Sequence, residues 1–183
     1  MATNVRCAAL HQPATHQQIV DHYIRCKRPD LLSELQWFKE QPTFSGAVEE
    51  AVRARSKLGQ RLSHQRRLLT TVIPASIPVV LGSLPKLQQA KNFDEVFSLL
   101  SLVLQKVYGA GDLYIYDTAL RIGAPMDLLP EQVYLQAGAA AGASKLLGRR
   151  VPRLLPLSKF PATFQRLQAY ELENLLCCYR SYF

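Results

Sequence analysis

The stretch that most restricts the fold covers residues 92–123. It opens with "NFDE", where Asn92 reads as a helix N-cap and Glu95, three residues on, completes a capping box. The run that follows is apolar on more than one side, through Phe97, Leu99, Leu100, Leu102, Val103 and Leu104. It reads as a central, buried helix over residues 93–107. "GAG" interrupts it, and "DLYIYDTALRIGA" then starts a second helix. Two helices joined through Gly109 and Gly111 form a hairpin whose glycines serve where φ is positive or backbones approach closely. Replacement of Gly111 by Ala is therefore expected to be costly.

Caps and stripes elsewhere agree with an all-helical chain. Ile19, Val20, Tyr23 and Ile24 make one apolar stripe, which ends before Pro29. Asp30 reads as the cap of a helix with Leu31, Leu35 and Phe38 inward, stopped by Pro42. Phe44-Ser45 reads as staple and N-cap of a helix that turns Val48, Ala51, Val52 and Leu58 inward. A loop covers residues 59–71. Pro74 or Pro78 then suits the first turn of a helix reaching Ala90 and bent at Pro85.

Pro130-Glu131 opens a further helix through Leu147, and residues 171–182 form the last. "QAGAAAGASKLLG" lacks the spacing of a phosphate loop, so its small residues serve close helix contact. The strand-like words "LYIY" and "VYL" lie beside helix starts, and at most a minor strand content is expected. The fold class is all-α: a compact single-domain bundle over residues 1–183, with roughly seven to nine helices and a helix-hairpin-helix-like turn.

Length and composition bound the rest. A chain of 183 residues can bury a core, and 48% hydrophobic against 20% charged residues excludes a disordered chain. Cys7, Cys26, Cys177 and Cys178 show no metal spacing and read as reduced thiols of a cytoplasmic protein. The N-terminus has no secretory h-region. Residues 68–85 are uncharged and approach the roughly 20 residues of a membrane span. Pro74, Pro78, Pro85 and Gly82 would leave backbone groups unsatisfied in lipid, so this is a buried soluble segment and no membrane partner is implied.

The net charge of +8 is confined to one segment. No acidic residue lies between Glu50 and Asp94, whereas eight of the 22 Lys and Arg do: Arg53, Arg55, Lys57, Arg61, Arg66, Arg67, Lys86 and Lys91. Outside it, basic and acidic residues balance. "VRARSKLGQRLSHQRR" is the densest part, with His64 among its cations. A solvated helix normally alternates signs, and like charges held together repel. Their cost is accepted where a polyanion is the partner, which points to the backbone of nucleic acid, DNA first.

The turn adds to this reading. Val107, Gly109, Ala110 and Gly111 follow a hydrophobic-x-Gly-hydrophobic-Gly pattern that resembles the helix-hairpin-helix motif of sequence-independent DNA-binding proteins. The resemblance implies that loop amides hold a backbone phosphate; Lys106 and Tyr108 flank the loop and are expected to help hold it. It departs in lacking a small Ala soon after Gly111, and Asp112 competes for the same amide donors. "HQRR", "GAGDLYIYDTALRIGA", "LLPEQVYLQAG" and "ENLLCCYR" together resemble a family of uncharacterised bacterial proteins over residues 61–180. That family has no assigned activity, so the resemblance implies a fold and no catalytic residue.

Two other classes stay open. An enzyme acting on nucleic acid or a nucleotide has Asp117 and His64 as candidates, with Tyr116 and Arg121 close by in sequence. Asp117 and Arg121, spaced i,i+4, also fit a plain helix salt bridge. His64, among arginines, is expected to have its basicity lowered as a base would need, and it equally fits a hydrogen-bonding loop histidine. The third class is an interaction module with an acidic protein partner. His11, His16 and His22 have no ligand cluster, and His22 with Cys26 is two ligands short of a zinc site. No metal or cofactor is implied.

Overall fold

The computed structural model describes Cys7, residues 9–62 and residues 65–183. His64 lies outside the described residues. Among those described, the chain forms nine α-helices and one two-stranded sheet, so the all-α reading is the observed architecture. The helices are α1 (His16–Cys26), α2 (Arg28–Lys39), α3 (Phe44–Arg53), α4 (Val72–Leu81), α5 (Leu84–Leu87), α6 (Phe93–Leu104), α7 (Asp112–Gly123), α8 (Ala137–Leu147) and α9 (Ala169–Cys178). Strands β1 (Gln132–Tyr134) and β2 (Leu154–Pro156) pair antiparallel, with Val133 opposite Leu155. The chain divides into two compact units, one from the described residues up to Ser33 with Glu131–Phe183, the other from Glu34–Pro130.

In the first unit, Thr15 and Gln18 form the capping box that starts α1, and Ile19, Val20 and Tyr23 are its buried face. They share a core with Val133, Leu155, Phe164, Leu172, Leu175 and Leu176. Helices α8 and α9 pack back to back. A Cβ on Gly142 would overlap the Leu176 carbonyl, and one on Gly138 would meet Cys177 Sγ at 2.6 Å. The small-residue word is therefore a helix contact.

Three expectations change in this unit. Residues 131–136 are not helical: Val133 and Tyr134, suited to a pleated surface, form β1, and α8 starts only at Ala137. Asp30 is not a cap but lies in the first turn of α2, which begins at Arg28. Cys7 and Cys26 are disulfide-bonded rather than reduced, while Cys177 and Cys178 are free.

The second unit holds the helical hairpin. Asn92 caps α6, its side chain accepting from the Glu95 N–H at 2.9 Å, but the expected capping box is incomplete: the Glu95 carboxylate accepts from the Lys91 N–H at 2.8 Å instead of from that of Asn92. The buried centre, however, is α7 rather than α6. Tyr114, Ile115, Tyr116 and all of residues 118–123 are buried, whereas α6 buries Phe93, Val96, Leu100 and Leu104 and leaves Leu102 54% exposed. Helix α7 packs on α3 and α6, and α4 on the same two. Apolar content alone does not rank burial here, because α7 buries tyrosines and small residues along with its aliphatic ones.

Thr43, not Ser45, caps α3, accepting from the Gly46 N–H at 3.0 Å. Leu58 is 74% exposed rather than inward, because α3 ends at Arg53 and Ala54 turns left-handed at φ 51°. Pro85 does not bend a long helix. Helix α4 stops at Leu81, and α5 restarts with Pro85 in its first turn, where its missing N–H costs nothing. No helix among the described residues is long and apolar enough to cross a membrane.

Candidate functional site

The basic segment leaves α3 through the left-handed Ala54 and forms a tight excursion. Arg55 and Arg61 face each other across an isolated antiparallel bridge. Ser56 N–H donates to Gln60 O at 2.8 Å, and Gly59, at φ 72°, donates to Ser56 O at 2.8 Å. Lys57 and Leu58 sit exposed near the tip. Residues directly opposite on a bridge project to one face, where like charges oppose pairing. Two arginines are held there.

Beyond the excursion, Gln65 is buried and its side-chain amide donates to Asp117 Oδ2 of α7 at 2.5 Å. This contact ties the loop to α7, and the adjacent Arg66 and Arg67 are exposed. Leu69 then reaches the hairpin turn. A Cβ on Gly109 would lie 3.1 Å from Leu69 Cδ1 and 3.0 Å from Val72 Cγ2. The turn that follows α6 thus rests on the segment that carries the arginine pair.

At that turn, only Gly109 is left-handed, at φ 88°. Gly111 is the N-cap of α7 at φ −81°, ψ 166°, ordinary extended backbone, and a Cβ there would meet nothing within 4 Å. The expectation of a costly Gly111→Ala change is corrected accordingly: Gly109 is the constrained position. No side chain caps α7, and Asp112 opens it as the first helical residue, its carboxylate at the positive end of the helix dipole. Lys106 is exposed, and Tyr108 is 88% exposed.

The cations differ in what they meet. Arg53 lies on α3, where Glu49 and Glu50 one turn earlier engage its guanidinium. Among the described residues, none of Arg55, Lys57, Arg61, Arg66, Arg67 and Lys106 forms an ion pair.

The catalytic candidates fall into a different arrangement. Arg121 is 3% exposed. Its Nε donates to Glu34 Oε1 at 3.0 Å, and its Nη2 lies 3.5 Å from Asp117 Oδ2. Asp117 therefore clamps Gln65 on one side and Arg121 on the other. Tyr116 is fully buried with its ring edge-on to Phe93. Tyr114 donates its hydroxyl to Val52 O at 2.8 Å, and burial raises its pKa. These groups tie α7 to its neighbours.

Gln65, Leu69 and Glu34 escaped the reading of the sequence. Gln65 carries a faint signal as the one uncharged polar side chain in "HQRR". Glu34 carries none, because its partner is 87 residues away. No protein-family model, no curated protein and no solved structure matches this chain.

Proposed function

We propose that the protein binds the phosphate backbone of nucleic acid, DNA first, with little sequence preference. The contacts come from Arg55, Lys57, Arg61, Arg66 and Arg67, aided by Lys106 and the turn at Gly109. What carries this reading is the contact between Leu69 and Gly109. It brings the turn beside the stretch that carries Arg66 and Arg67, and none of the named cations has an ion-pair partner among the described residues. Side-chain cations are the main grip. Asp112 already places negative charge at the start of α7, where a phosphate would otherwise sit.

The reading is tested by titrating a labelled oligonucleotide at several salt concentrations. Three to five phosphate contacts would give a slope of about −3 to −4.5 in log K against log salt for duplex DNA. Replacing Arg66 and Arg67 together by Ala is expected to reduce that slope by up to about two with the thermal melt unchanged. Affinity that does not respond to salt would exclude the mechanism.

A further inference from the structure

We infer that the surface takes single-stranded nucleic acid in preference to duplex, with Tyr108 as the platform on which one base stacks. This rests on the backbone-binding reading and narrows it to a substrate class. Tyr108 is 88% exposed, the highest value among the exposed large hydrophobic side chains described. Its backbone is nonetheless fixed. Val107 N–H donates to Leu104 O at 2.9 Å, Ala110 N–H donates to Val107 O at 3.0 Å, and Gly109 rests on Leu69 and Val72. The ring is thus presented to solvent from a held turn.

The surroundings suit a strand of nucleotides. Lys106 lies two residues before Tyr108, exposed and without an ion pair among the described residues. Leu69, 51% exposed, adds a second apolar surface beside the turn, and Arg67 lies two residues before it. Chain geometry keeps the Cα atoms of Tyr108 and Arg67 within about 20 Å of each other, so one short oligonucleotide can meet both. Duplex keeps its base faces stacked inside and offers this surface phosphate alone. A single strand offers π-faces as well, and a base stacked on an aromatic ring binds without regard to sequence.

The test compares a labelled mixed-sequence strand of about 20 nucleotides with its duplex, by fluorescence anisotropy at low and moderate salt. The strand is expected to bind the tighter of the two. Tyr108→Ala should weaken strand binding about five- to a hundredfold, far more than it weakens duplex binding, with the salt slope retained, and Tyr108→Phe should retain strand binding. Tyr108 is on the surface, so an unchanged melt verifies that the Ala variant is folded. Equal affinity for both forms, or a Tyr108→Ala protein that binds the strand normally, overturns the inference. If in either case Arg66→Ala/Arg67→Ala still lowers the salt slope, backbone binding survives alone. Absence of salt-dependent binding to either form overturns both.

Discussion

Gly109→Ala separates a turn that the fold requires from one that merely tolerates glycine. A left-handed backbone costs a residue with a Cβ about 1–2 kcal/mol, and Gly109 holds φ 88°. The new methyl would also lie 3.0 Å from Val72 Cγ2 and 3.1 Å from Leu69 Cδ1. Leu69 is half exposed and can rotate away, but Val72 is fully buried and stiff at χ1. Crowding against it adds about 1 kcal/mol. Fewer unfolded conformers return about 0.4–1 kcal/mol. The net loss is about 2 kcal/mol, or about 1 M in urea midpoint for a slope of about 2 kcal/mol/M.

Gly111→Ala is the control. At φ −81° with open space around the added Cβ, it exchanges a slightly better N-cap for a stiffer unfolded chain, and the two nearly cancel. The single tryptophan, Trp37, lies in the unit that contains the turn, so its fluorescence in urea reads the relevant transition. A Gly109→Ala protein as stable as its parent, or a Gly111→Ala protein that loses more, would refute the assignment of strain to Gly109.

Other expectations concern groups away from the turn. Tyr23 is fully buried and its hydroxyl has no hydrogen-bond partner among the described residues, so Tyr23→Phe should stabilise by about 1 kcal/mol in the same urea assay. Burial raises the Tyr23 pKa and pushes Tyr179 up to about 12. The unfolded chain therefore releases these protons first, and stability should fall as pH rises from about 10 towards 12, with a shallower fall in Tyr23→Phe. Arg121→Leu should cost about 3 kcal/mol by leaving Glu34 and Asp117 without their cation, and adding Asp117→Asn should recover part of it. Reducing the Cys7–Cys26 bond, which spans 19 residues, should cost about 3 kcal/mol. Nucleic-acid binding should persist in reductant, since both cysteines lie outside the unit with the basic loop.

The legible part of the fold was its local chemistry. The Asn92 cap, the stripe of α1 and the small-residue contact of α8 each depend on neighbours within a few positions, and each stands as read. Some misses are local shifts of a helix start or end, as at Thr43, Asp30 and Ala54, and the rest depend on distant partners. β1 exists because Leu155 lies across from Val133, 22 positions on in the chain. The primacy of α7 over α6 reflects packing on α3, which apolar counts do not register. The same division holds at the candidate site. The cations are visible as an acid-free run; the pairing of Arg53 with Glu49 and Glu50 is local too, at i,i+4 and i,i+3, and is an exception that the spacing already carries. The anchoring of the loop by Gln65 on Asp117, a contact spanning 52 residues, was not legible.

The facing pair Arg55 and Arg61 offers the sharpest opposition between stability and binding. Asp117 is committed to Gln65 and Arg121, and Glu49 and Glu50 to Arg53, so Arg53 and Arg121 are neutralised while the facing pair, like Arg66 and Arg67, has no ion-pair partner among the described residues. Like charges directly opposite on a bridge destabilise it, and an opposite-charge pair contributes about 0.2–1 kcal/mol. Arg55 is exposed, so Arg55→Glu replaces repulsion with attraction without disturbing the core. The variant should unfold about 0.5–1 kcal/mol later in urea and show less stabilisation by added salt than its parent, because screening then weakens an attraction. It should also bind nucleic acid more weakly, with a smaller salt slope, since a cation becomes an anion on the contact surface. A substitution that strengthens the fold and weakens binding is the signature of charge retained for a partner. Should Arg55→Glu gain stability and bind as tightly as before, the pair serves no polyanion, and the contact surface must lie elsewhere on the loop.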